Sequence, residues 1–514
     1  MTDPGYSALR PEHPVARSLV ELVEHFGLMS TGDFLSDSVT GITLSSKNVR
    51  HGDLYVGLPG RNAHGAVFAA DAATQGAVAI LTDEEGARIS SASGLPSIIA
   101  DNPRAVLADV AAWIYRTREN PPTMFGVTGT NGKTSVTYIL DSILGQLGVT
   151  AGFSTTAERG IGALRITSTL TTPEATEVHA LLARMREAEV GAVIIEVSAQ
   201  ALTRHRVDGI VFDVVGFTNL SHDHLDDYGD MRTYFEAKRE LFTPGRARRG
   251  VALVDSEWGR KIAAEADILM TTIATRPGIE ADWQVTLTEE SAELTAFTMR
   301  APGGERLSTS VPILGRYMAE NAALAIVMLV EAGFTLVDIE RVLTRDGGIL
   351  ANIPGRAERV SGERGPRVYI DYGHSPDAFT TTLQSLRRTT AGRIIMVFGA
   401  DGERDTSKRE EMASIAATLS DVVVITDYNP RFENPAEIRR VLLDSARRTR
   451  PDLELYEVPN PWDAFRQALS VAREGDVILH AGPGHENYHE VAGEKIPYSA
   501  RDDARSALTE HGWL

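Results

Sequence analysis

Gly129, Thr130, Asn131, Gly132, Lys133 and Thr134 follow the apolar run Met124–Val127 and precede Val136–Leu140, which has helical character. Strand, glycine-rich turn and helix in that order make a phosphate cradle. Glycines let backbone N–H groups approach an anion, and the helix N-terminus adds its positive dipole end. Lys133 would reach the terminal phosphates, and the Thr134 hydroxyl would sit on Mg²⁺. The spacing is not the usual one, because Val127 stands where a further glycine is expected. An ordinary glycine-rich turn is the bland alternative, but Gly-Lys-Thr opening a helix after a strand favours nucleotide binding.

Other chemistry-bearing groups also fall at the ends of apolar runs. Gly191–Val197 is apolar until Glu196, a carboxylate placed to bind Mg²⁺, or, more plainly, to form an edge salt bridge. Val211–Phe217 runs into Asn219-Leu220-Ser221-His222-Asp223-His224-Leu225-Asp226, whose histidines and aspartates suit metal or phosphate chemistry. On the next helix pattern, Met231–Phe242, Lys238 reads as an exposed helix lysine. Further on, four strand patterns end in Asp371-Tyr372-Gly373-His374, Gly402-Glu403-Arg404-Asp405, Tyr428-Asn429-Pro430-Arg431 and Gly482-Pro483-Gly484-His485-Glu486. Four such ends on one sheet would converge on a cleft.

The elements that must hold these groups are α/β throughout. Residues 1–118 read as a separate small α/β domain, closed by the breaker cluster Glu119-Asn120-Pro121-Pro122. Residues 119–355 alternate strand and helix patterns, as a mostly parallel sheet with a phosphate loop would, and 281–311 read as an antiparallel insertion. Residues 356–514 form a third, Rossmann-like α/β unit after the linker at 352–355.

Composition excludes other classes. A chain of 514 residues is too long for one core. It contains no cysteine, so disulfides and thiolate catalysis are out, which suits a reducing cytoplasm. A net charge of −19 argues against general nucleic-acid or anionic-membrane binding. No apolar run approaches the ~20 residues that span a bilayer, and no signal peptide is visible. The expectation is a cytoplasmic monomer.

Thr128–Thr134, Glu196-Val197-Ser198, Asn219–Asp226 and Asp371–Asp377 resemble the Mur ligases in order and spacing, as do Leu44–Lys47 and Ala481–Glu486. The resemblance covers essentially the whole chain and is strongest to the member that adds the third residue of the peptidoglycan stem peptide. It implies a ligase that uses ATP to turn a carboxylate into an acyl phosphate, which the amine of an incoming amino acid attacks. Two anions must then meet, which demands concentrated positive charge. Lys133 and Mg²⁺ at Thr134 and Glu196 would supply it. His224 and a carbamoylated Lys238 would help hold a second Mg²⁺, and His374 would join the catalytic set. ATP would contact Gly129–Thr134, Asn219, Asn321, Arg356 and Asp371. UDP-MurNAc-L-Ala-D-Glu would contact Leu44, Ser46, Arg61, Asn62, Ala63, Thr171, Thr172, Ser198, Arg204 and Arg206. The incoming diamino acid would meet Arg404, Asn429, Arg431, Gly482 and Glu486.

The chain departs from the family pattern at Ala199-Gln200 (usually Ser-His), Tyr317-Met318 (usually Phe-Asn), Tyr428 (usually Asp) and Pro483 (usually Lys or Arg). In relatives the residue matching Arg431 pairs with the distal carboxylate of meso-diaminopimelate. An unpaired buried arginine would be costly without that partner, which favours meso-diaminopimelate. Tyr428 removes a carboxylate from the same pocket, so L-lysine or another diamino acid stays open. Two other readings are a related ligase of the folylpolyglutamate or D-Ala-D-Ala-adding type, and a silent nucleotide-binding partner subunit.

Overall fold

The computed structural model describes residues 9–32, 38–60, 62–168 and 170–514. They build three large sheets, each with its own core, and two two-stranded ones. The first has five strands in the order Met29–Thr31, Ser97–Ile99, Ala79–Thr82, Asp53–Val56, Gly41–Thr43, parallel except at the Met29–Thr31 edge. Its core reaches across to Ala175, Ala180 and Ala183 of the helix Ala175–Glu187, so this domain is seated on the next one. A 3-10 turn, Gly65–Phe68, leads into a short helix, Ala69–Thr74, and the His64 ring accepts from the Ala66 N–H.

The second sheet has eleven strands and positions most of the chemistry. Thr123–Thr128 lies between Ala192–Glu196 and Phe212–Phe217, all parallel, with Val127 opposite Glu196 and Thr128 opposite Phe217. The phosphate loop, Glu196 and the loop after Phe217 therefore leave neighbouring strands at the same edge. These strands are buried on both faces, which is why they read as continuous apolar runs rather than alternating ones. The antiparallel strands Trp283–Glu290, Thr295–Arg300 and Arg306–Val311 are not a free-standing insertion. Ile273 pairs with Trp283 in parallel, so they prolong the same sheet. Helix Arg316–Glu331, apolar almost all round, is buried against it and against the phosphate-loop helix Lys133–Gln146.

The third sheet runs Glu358–Arg359, Arg367–Asp371, Val477–Ala481, Ile394–Phe398, Val422–Ile425, Glu454–Glu457. All but the first pair are parallel. The four polar clusters leave four adjacent strands at their carboxyl ends, facing the second sheet's functional edge. A hairpin, Tyr488–Val491 with Glu494–Pro497, folds back so that Val491 bridges Arg431.

Candidate functional site

The phosphate loop is built around two left-handed glycines. Gly129 has φ +145° and Gly132 φ +89°, and a Cβ would stand 1.8 Å from Thr218 Oγ1 at the first and 2.6 Å from Asn321 Oδ1 at the second. Only glycine lets this loop close on its neighbours. Asn219 holds the turn, accepting from the Asn131 N–H at 3.0 Å and donating to the Asn131 carbonyl at 3.2 Å. The Lys133 ammonium folds over the loop onto the carbonyls of Gly129 (3.1 Å) and Thr130 (2.9 Å).

Lys238 corrects the sequence reading. It is 1% exposed, not on the solvent side of its helix. Its ammonium lies over the Tyr234 ring and donates to the Gly129 carbonyl at 2.8 Å, the oxygen that Lys133 also uses. Burial, then Lys133 itself, pushes the Lys238 ammonium well below the ordinary lysine value. Burial lowers Lys133 as well. A buried and a half-buried cation on one carbonyl oxygen form a site short of negative charge, a fit for phosphate or for an anionic lysine derivative.

Glu196 is fully buried. Its carboxylate accepts from the Thr156 N–H at 3.3 Å and hydroxyl at 3.0 Å, and among the described residues it forms no salt bridge. The bland reading of an edge ion pair is therefore not what the structure holds. His224, with φ +56°, lies between Asp223 and the Tyr234 ring, and burial lowers its imidazole. One of its ring nitrogens stands within 4.8 Å of a carboxylate oxygen of each of Asp226 and Asp227.

The C-terminal domain closes the other side. Arg356 donates to the Thr134 hydroxyl at 2.9 Å and packs on Tyr372, and Asn131 reaches Asp377 at 3.2 Å. The Asp371 carboxylate is occupied by the backbone N–H groups of Ala357 (2.8 Å) and Gly373 (2.9 Å), shaping the turn that presents His374. Burial, then Lys408, lowers the His374 imidazole to about 4. Lys408 crosses the cleft to Asp223 at 3.1 Å, with both side chains nearly buried. The two domains enclose a cavity of about 690 Å³ lined by Lys133, Glu196, His224, Asn321, Arg356 and His374, among others.

At the far end of this cavity lie Arg404, Arg431 and Glu486, with Asn429 and Gly482 just behind. Tyr428 and Asn429 both donate to Glu486 Oε2 at 3.0 Å. Burial, with Asp401 nearby, raises the Glu486 carboxyl to about 7. Arg431 is not unpaired. Its guanidinium meets Asp401 at 3.2 Å, Glu490 at 3.3 Å and the Gly402 carbonyl at 2.5 Å. The argument for meso-diaminopimelate from an unpaired Arg431 therefore loses its premise.

The residues expected at the UDP-sugar peptide divide. Thr171, Ser198 and Arg206 line the cavity, with Arg206 held by Glu174 at 2.9 Å. Thr172 is buried and donates to the Glu196 carbonyl at 2.7 Å. Arg204 is exposed, 3.9 Å from Asp227. Leu44, Ser46, Asn62 and Ala63 lie on the first sheet's loops and do not line the cavity, and Arg61 lies outside the described residues. Sequence reasoning did not single out Thr156, Tyr234, Asp401, Lys408 or Glu490. Asp223 was legible as a residue of a polar cluster, but its pairing with Lys408 spans 185 positions.

Fold and cavity together define a nucleotide-binding α/β protein whose phosphate loop faces a second α/β domain. Its segments match three family descriptions: "Mur ligase family, catalytic domain" over residues 38–116, "Mur ligase middle domain" over 127–329 and "Mur ligase, glutamate ligase domain" over 355–484. A UDP-N-acetylmuramyl-tripeptide synthetase of Leifsonia xyli subsp. xyli is 65% identical over 100% of both chains. A UDP-N-acetylmuramoyl-L-alanyl-D-glutamate--2,6-diaminopimelate ligase of Streptomyces coelicolor is 39% identical over 99% of each. Among solved structures, a ligase of that same name superposes with a TM-score of 0.65 at 24% identity, covering 98% of this chain and 100% of that one. A MurF ligase from Thermotoga maritima in complex with ADP gives 0.64 at 19% identity, covering 93% and 98%. The chain belongs to the Mur ligase family.

Proposed function

We propose that this chain joins the D-glutamate carboxylate of UDP-MurNAc-L-Ala-D-Glu to the amine of a diamino acid, at the expense of ATP. The observation that carries this reading is the convergence of Lys133, Glu196, His224 and His374 from two domains on one cavity, with the Lys238 ammonium on the Gly129 carbonyl that Lys133 also uses. The names of the relatives, which are tripeptide synthetases and diaminopimelate ligases, agree with it. In this reading residues 1–118 hold the UDP end, 119–355 hold ATP and 356–514 hold the amino acid.

ATP would lie along the phosphate loop, its phosphates received by Lys133 and the Lys133–Gln146 helix N-terminus. A carboxylate oxygen attacks the γ-phosphorus and ADP leaves. The amine nitrogen then attacks the acyl carbon, and phosphate departs with that oxygen. Lys133 holds charge on the transferring group, and Arg356, which bonds Thr134 here, is free to turn to the phosphates. Thr134, Glu196 and His224 would hold Mg²⁺, which neutralises phosphate charge when bound. The lowered Lys238 amine is suited to capture CO₂ with loss of a proton, which replaces a buried cation with a carbamate. Among the described residues no helix is long and apolar enough to cross a membrane, and we place the reaction in the cytoplasm with its nucleotide-linked substrate.

The test is phosphate release from ATP and Mg²⁺ with and without UDP-MurNAc-L-Ala-D-Glu, each with a diamino acid. Release should require all components. Release that ignores the UDP-substrate would sink the reading.

A further inference from the structure

The antiparallel strands Trp283–Glu290 and Thr295–Arg300 belong to the central sheet, yet the turn between them reaches the C-terminal domain. The register shifts between Leu287 and Glu289, an irregularity that re-aims the side chains beyond it. The turn is tied to itself. The Ser291 N–H donates to the Leu294 carbonyl at 2.9 Å, and the Ser291 hydroxyl accepts from the Leu294 N–H at 3.2 Å.

Among the described residues the polar groups of this tip meet the other domain at three points. Glu290 accepts from both Nε (2.7 Å) and Nη2 (2.9 Å) of Arg388, which also donates to Ser385 Oγ at 3.0 Å. The Ala292 carbonyl accepts from the Tyr369 hydroxyl at 3.2 Å, and Glu293 meets Arg359 at 3.1 Å. These contacts are unequal. The Glu293 side chain is exposed, and an open ion pair of that kind contributes little. The Glu290 side chain is 9% exposed, and its two-pronged contact fixes direction as well as distance.

Arg388 lies in the last turn of the helix Pro376–Thr389, and His374 stands just before that helix begins. Fourteen helical residues make a rod of about 20 Å. Both ends meet the cavity, which Arg388, His374 and Arg356 line together. A domain joined by the 352–355 linker alone is free to turn. A hold on one end of this rod restricts where the other end can go.

Resting on the ligase reading above, we infer that Glu290 is a positioning residue for the ligation. By holding Arg388 it sets the angle at which the helix Pro376–Thr389 brings His374, with Arg356 beside it, to Lys133. Misplacing reacting groups by about 1 Å costs ~100-fold in rate, even when the change is remote from the chemistry.

The experiment measures kcat with UDP-MurNAc-L-Ala-D-Glu, ATP, Mg²⁺ and each of L-lysine and meso-diaminopimelate, beside the Kd for ADP. Glu290→Ala should lower kcat by ~10-fold or more and leave the ADP Kd within about 2-fold, because the phosphate loop is untouched. Glu290→Gln, which keeps the shape and an acceptor, should lie between Ala and wild type. The reversed pair, Glu290→Arg with Arg388→Glu, should recover at least ~3-fold in kcat over either single change. Solution scattering with ADP reads domain position without turnover, and Glu290→Ala should give a larger radius of gyration than wild type. An unchanged kcat, a kcat and ADP affinity that fall together, or a reversed pair no better than its parents would overturn the positioning role and leave the ligase standing. A wild type silent with both amino acids would overturn the ligase reading, and identical scattering from wild type and Glu290→Ala would overturn the hold on the domain.

Discussion

At the scale of single residues, the site is governed by charges kept out of water. Lys238 and Lys133 share the Gly129 carbonyl, and neither has a carboxylate within ion-pair distance among the described residues. Replacing Lys238 with Met should remove a buried cation and raise stability by about 1 kcal/mol, read as Tm. The same change should lower ligase activity by ~100-fold, as loss of a metal-orienting group does. Activity near wild type would contradict the role given to Lys238. In wild type, CO₂-depleted buffer should lower activity and bicarbonate restore it. Glu486 carries the clearest pH dependence. Its folded carboxyl holds a proton up to about 7, against 4.5 for the ordinary group, so between these values the folded state binds more protons and stability falls as pH rises. Glu486→Gln lacks this loss, so its Tm relative to wild type should climb between pH 4.5 and about 7. A pH-independent difference would count against a buried, proton-holding Glu486.

At the scale of elements, the parts legible in the sequence are those whose cause is local. Gly129, Gly132 and Lys133 announce the phosphate loop because a turn, a close approach and a helix start are set within a few residues. Glu196 ends an apolar run because its strand is buried on both faces and its carboxyl end meets the cavity. What depends on distant partners was not legible. Lys238 lies on a helix of strongly polar residues, and only the packing of Tyr234 and Gly129 around it makes it buried. The pairing of Arg431 with Glu490 needs a hairpin about sixty positions away, and the strands of 283–311 join the central sheet through one short parallel pairing. Gly132→Ala probes the loop. A methyl 2.6 Å from Asn321 Oδ1, on a left-handed backbone, should leave the sheets folded but weaken nucleotide binding by ~10-fold or more. Unchanged affinity in a nucleotide titration would show that the loop does not need to pack on Asn321.

At the scale of the whole molecule, the third sheet must meet the second for a site to exist. The polar contacts between them include Arg356 to Thr134, Asn131 to Asp377, Lys408 to Asp223, His222 to Asp405, Arg388 to Glu290 and Arg359 to Glu293. Although burial opposes it, Lys408 and His224 hold the Asp223 carboxyl well below the usual carboxylate range. Removing one member of such a pair costs about 3–5 kcal/mol, because the other is left buried alone. Lys408→Met should therefore loosen the C-terminal domain on the cleft side, with Gly355 and its neighbours as hinge. Solution scattering should report a larger radius of gyration than wild type, reduced by an ATP analogue with UDP-substrate. Identical profiles for the two proteins would show that the ion pair does not set domain position.

The most direct test of the account follows an atom rather than a rate. UDP-MurNAc-L-Ala-D-Glu carrying heavy oxygen in the reacting D-glutamate carboxylate is turned over with ATP, Mg²⁺ and a diamino acid, and the released phosphate is analysed by mass spectrometry. An acyl phosphate formed between Lys133 and the C-terminal domain predicts one labelled oxygen transferred to each phosphate as the amide forms. Unlabelled phosphate accompanying amide formation would contradict that intermediate, and with it the role assigned to the cavity.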